Sequence, residues 1–133
     1  MSSAKPLLNF GRESVKRYQD LNEKLFGGQL SNKELFLVAL AFGVHYRKKI
    51  TKFDKAPTGP RTDLTDSDLH LFESVALLDI GDQQDLPSAE IRNETAIQYA
   101  EGGIRLLHDL IVDKTAEYAR SAFINEYRKS IGK

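Results

Sequence analysis

Arg47, Lys48, Lys49, Lys52, Lys55 and Arg61 set six bases against one acid, Asp54, within a single short stretch. Tyr46 and Phe53 stand among them. Clustered bases neutralise phosphates and release counterions, and aromatic rings stack on nucleobases. The same residues suit an acidic protein surface, where Tyr46 and Phe53 would be anchors. Arg47 to Lys49 also fall where an apolar helix ends and positive charge is favoured for structural reasons. No nucleic-acid-reading motif accompanies the bases, so charge alone does not choose between DNA and an acidic protein. The forty residues that follow, 62 to 101, hold ten acids and one base. A chain of net charge zero is thus sorted into a basic stretch and an acidic one.

Catalysis finds no such constellation. The chain has no cysteine, which removes disulfides, thiolate metal sites and cysteine nucleophiles. His45, His70 and His108 are too scattered for a zinc pair. His108 and Asp109 are neighbours on a helix and do not face one another. Gly27-Gly28 lacks the Lys-Ser/Thr of a phosphate-cradling loop. Asp63, Asp66, Asp68, Asp79, Asp82 and Asp85 lack calcium-loop spacing and read as helix caps and solvated charge. The expectation is a non-enzymatic protein with no catalytic residue, metal or cofactor. A carboxylate pair assembled in space is the arrangement that sequence hides.

The elements that would position these residues are helical. Val15, Tyr18, Leu21 and Leu25 recur at helical steps until Gly27-Gly28. Ser31 and Glu34 have capping-box spacing before Leu35 to Val44, which is apolar on every side and reads as a central buried helix. That apolar run is about half what a bilayer crossing needs. Residues 51 to 64 hold prolines and no periodicity, and read as an exposed basic loop. A third helix starts near Thr65 or Asp66, turns Leu69, Phe72, Val75, Ala76 and Ile80 inward, and stops at Gly81-Asp82. A polar link, 83 to 87, precedes Ser88, which caps a long helical stretch interrupted at Gly102-Gly103. A last helix, Thr115 to Ile131, points Ala119, Phe123 and Tyr127 inward. Strand signals are almost absent. The chain, 1 to 133, reads as one all-α domain, a bundle of about five helices. With no secretion leader in view, it is expected in the cytoplasm and off the membrane.

Tyr99-Ala100-Glu101-Gly102-Gly103-Ile104 is the least ordinary local stretch. Two glycines inside a helix cost roughly 1 kcal/mol each relative to alanine. They mark a kink, a close approach of another helix, or a flat patch around Tyr99, Gly102 and Gly103 that receives a partner.

This stretch, with Lys33 to Gly43 followed by Arg47 to Lys49, and with Leu71 to Leu78 leading to Asp79 to Asp82, resembles a known family. It is similar to the small accessory proteins associated with Dnd systems, encoded beside prokaryotic DNA phosphorothioation genes. The resemblance covers residues 31 to 112; Glu101 stands where the family pattern has Asn. It implies an accessory or adaptor subunit of an anti-phage defence complex, with larger proteins of that complex as partners. It supplies no catalytic residues. Two further expectations stand beside it. One is a DNA-binding module acting alone through segment 45 to 61. The other is a homo-oligomer whose basic loop meets the acidic half of a neighbour.

Overall fold

Ser31 and Glu34 cap each other's backbone. The hydroxyl accepts from the Glu34 N–H at 3.2 Å and the carboxylate from the Ser31 N–H at 2.9 Å. This reciprocal box satisfies two donors that a helix start leaves free. The computed structural model, which describes residues 6–80 and 88–131, places it at the head of the second of five helices. These are α1 (Val15–Phe26), α2 (Asn32–His45), α3 (Asp66–Ile80), α4 (Ala89–Ile111) and α5 (Ala116–Ile131), with one 3-10 turn, Arg12–Ser14, before α1. The protein is an all-α bundle. The Gly81-Asp82 stop and the 83 to 87 link lie outside the described residues.

α2 is the centre because most of its faces are apolar. Leu35, Phe36, Ala39, Leu40, Phe42 and Gly43 are buried, and α4 lies across it. α1 and α5 cover one flank of α4, and α3 covers another. Leu21, Phe36, Leu40, Phe72, Ile104, Leu107 and Ile111 form the middle of the core. The helix ends are tied to neighbours as well as to themselves. Lys24 of α1 donates to the carbonyls of Ile111 and Val112, both at 3.0 Å, closing the C-terminus of α4. Lys33 of α2 pairs with Asp68 of α3 at 2.7 Å. Burial pushes the Asp68 carboxyl upward, but hydrogen bonds from Lys33 and Thr65 outweigh it and hold the group below its ordinary value.

Residues 51 to 64 form no helix and keep most side chains exposed. Their backbone runs antiparallel to the N-terminal segment. Leu8 N–H donates to Pro60, Phe10 N–H to Thr58, Ala56 N–H to Phe10 and Arg12 N–H to Asp54, at 2.7–2.9 Å. Phe10 then stacks on Tyr18 with ring centroids 3.8 Å apart, anchoring the pair to α1. Two local expectations, at Gly102-Gly103 and at Tyr127, need correction. α4 runs without interruption through Gly102 and Gly103. Tyr127, expected inward, is 50% exposed, while Ala119 is buried and Phe123 stacks on Phe42 at 5.7 Å.

Candidate functional site

The basic stretch begins where α2 stops. Arg47 takes the left-handed conformation, φ 55°. The Lys48 N–H reaches back to the Gly43 carbonyl at 2.8 Å and the Arg47 N–H to Val44 at 3.1 Å. That is a Schellman closure with arginine where glycine is the usual occupant. The turn rests on α4: the Lys48 carbonyl lies over Gly102, and the Ile50 N–H donates to the Gln98 carbonyl at 3.1 Å.

The side chains do not form one strip. Lys49 grips both oxygens of Asp79, at 2.8 and 3.0 Å, and lies 5.9 Å from the Tyr99 ring centre. Lys55 grips Glu94 at 2.6 and 2.7 Å and lies over Phe53, which packs against the core. The Tyr46 hydroxyl donates to Glu126 at 2.6 Å. That bond raises the Tyr46 phenol and lowers the Glu126 carboxyl from their ordinary values. Arg61 is also engaged. Arg47, Lys48 and Lys52 remain exposed, with no ion pair among the described residues. Asp79 and Glu94 belong to the acidic half of the sequence, so much of the sorted charge closes within one chain. Each such surface pair contributes only about 0–1 kcal/mol.

Tyr99, Gly102 and Gly103 are buried, and what covers them is α2 and its exit turn. A Cβ on Gly103 would strike the Ala39 carbonyl, and one on Gly43 would strike the Tyr99 carbonyl. Of the readings of this patch, close helix approach is the one the structure bears out. The Tyr99 hydroxyl donates to Asp79 at 3.1 Å. Burial first, then that carboxylate, raises its phenol above the ordinary value.

Glu101, inside the same motif, is the residue sequence reading missed. It is 3% exposed. Its Oε2 accepts from Ser14 Oγ at 2.7 Å and from Arg105 Nε at 2.8 Å, and Arg17, 4.0 Å from it, also donates to Ser14. Oε1 is buried without a partner among the described residues and lies against Gly11, where a Cβ would collide with it. Burial, with the Glu101 charge adding to it, pushes the nearby Tyr18 phenol well up. The carboxylate lines a cavity of about 300 Å³ with Gly11, Arg12, Glu13, Lys52, Phe53, Asp54 and Arg105. One signal could have found it: Glu101 falls on the stripe Ile97, Ile104, Ile111, at helical spacing among apolar residues.

α3 offers a different surface. Leu71 and Leu78, two turns apart, are 40% and 42% exposed, with Ser74 exposed between them. Among the described residues, no three His, Asp or Glu side chains gather as a metal site, and no helix is long and apolar enough to cross a membrane. Compared with protein-family models, curated proteins and solved structures, the chain finds no match.

Proposed function

We propose that this chain is a non-enzymatic accessory subunit, an adaptor that holds a larger protein of a prokaryotic DNA-modification-linked defence complex. The observation that carries the adaptor reading is α3. Large apolar side chains on a surface helix are normally turned toward the core; here Leu71 and Leu78 are left open. The fitting occupant is an amphipathic helix of a partner, with an apolar seam. The defence context rests on the family resemblance alone. Sorted charge supports docking less than the sequence suggests, because Lys49 and Lys55 are neutralised internally.

The test is direct binding between the purified chain and the purified products of its neighbouring genes. Wild type is expected to bind one of them, and Leu71→Glu/Leu78→Glu to weaken that complex at least about tenfold. Binding to none of them sinks the reading; so does a complex indifferent to the double change. A second reading, DNA contact, draws on Arg47, Lys48 and Lys52, which stay exposed with no ion pair among the described residues. Anisotropy of labelled duplex at low salt decides it, since binding by three bases must fall steeply as salt rises.

A further inference from the structure

We propose that the cavity at Glu101 binds a small zwitterion of the α-amino-acid class, its ammonium on the Glu101 carboxylate and its carboxylate on Arg12 and Lys52. The first support is an unmet demand. A buried carboxylate oxygen without a donor is left with its desolvation cost unmet, and Glu101 Oε1 has no donor among the described residues. Its other oxygen is fully used by Ser14 and Arg105. A ligand that brings an N–H to this wall recovers the deficit.

The second support is size. About 300 Å³ sits at the small end of ligand pockets, far above the roughly 30 Å³ that one water occupies. An amino acid fits, with Phe53 as an apolar wall for its side chain.

The third is charge. Arg12, Lys52 and Arg105 line the cavity together with Glu13, Asp54 and Glu101. A phosphate-bearing ligand would meet three carboxylates and a bare cation three bases; a molecule carrying both signs meets each with its opposite. Arg105 is committed to Glu101. Lys52 has no ion pair among the described residues, and Arg12 spends only one nitrogen on the Lys55 carbonyl, at 3.4 Å. The anionic end therefore belongs at Arg12 and Lys52. Because Oε1 is closed off behind Gly11, the Gly11–Arg12 backbone must yield for the ammonium to reach it.

The experiment titrates the full chain with the common amino acids, their N-acetyl forms, inorganic phosphate and AMP, followed by two-dimensional amide NMR. At least one free amino acid is expected to move the amides of Gly11, Arg12 and Phe53 at millimolar concentration, while its N-acetyl form does not. Lys52→Glu, at an exposed position, is expected to weaken that binding about tenfold. Glu101→Gln should weaken it similarly if the variant remains folded by circular dichroism; should it unfold, the N-acetyl comparison and Lys52→Glu decide. No shift from any amino acid at about 10 mM overturns the proposal, a regime where binding is weaker than roughly 3 kcal/mol. Equal binding of the N-acetyl form, or preference for phosphate or AMP at the same amides, overturns it too.

Discussion

At the end of α1, Gly27 and Gly28 turn the chain with φ of 60° and 76°, and a Cβ on either would meet nothing within 4 Å. Inside α4, Gly102 and Gly103 keep helical geometry, and a Cβ on either would strike the backbone of α2 or its exit turn. The same dipeptide supplies a backbone angle in one place and empty volume in the other. The first use is local and belongs to any helix end. The second exists only because another helix arrives, so the cost of filling it measures the α2–α4 crossing.

Substitutions should separate the two. Gly103→Ala sets a methyl against the Ala39 carbonyl, which is fixed within its own helix and cannot retreat alone. It should lose at least about 3 kcal/mol in urea unfolding and about 10 °C in Tm. Gly102→Ala meets the Lys48 carbonyl, on a turn that can move, and should lose about 1–2 kcal/mol. Gly27→Ala meets no atom and should lose only about 1 kcal/mol, the strain of a left-handed alanine. If Gly103→Ala proved as mild as Gly27→Ala, the crossing would be slack and the comparison would break. Arg47→Gly sharpens it from the opposite side. Relief of roughly 1–2 kcal/mol of left-handed strain, less about 0.4–1 kcal/mol of added unfolded-state entropy, should leave a gain of about 0.5 kcal/mol. A loss there would mean that the Arg47 side chain contributes more than its backbone costs.

How far the sequence was legible follows from the same distinction. Ser31 with Glu34, the Gly27 stop, the apolar α2 and the Ser88 cap are local signals, and each sits where periodicity put it. The close approach at Gly102 and Gly103 was legible too, as one of several readings, because glycine in mid-helix needs a reason. What failed depends on pairing at a distance. The bases from Arg47 to Arg61 read as one surface; Asp79 and Glu94 come from other helices to divide it, and Glu126 takes the neighbouring Tyr46. Tyr127 fits an inward helical phase, but α5 leaves it half out in solvent. Glu101 was passed over as a departure from a motif, although a carboxylate on an apolar stripe is itself a question about burial.

The pairing of residues 6–12 with 54–62 has a consequence for the order of assembly. Asn9 bonds the Ala56 carbonyl across a sequence separation of 47 residues, so that clasp must wait until α1 and α2 have brought its ends together. Closing so long a span is an entropic cost met late, and the entropy regained on opening weighs more on warming, opposed by the burial of Leu8 and Phe10 in the core. Gly11 and Arg12 belong to the clasp, and they wall the Glu101 carboxylate. Under hydrogen exchange this corner should be the last part of the molecule to become protected on refolding and the first to lose protection on warming. Any occupant of the cavity would then act as a latch on the N-terminus.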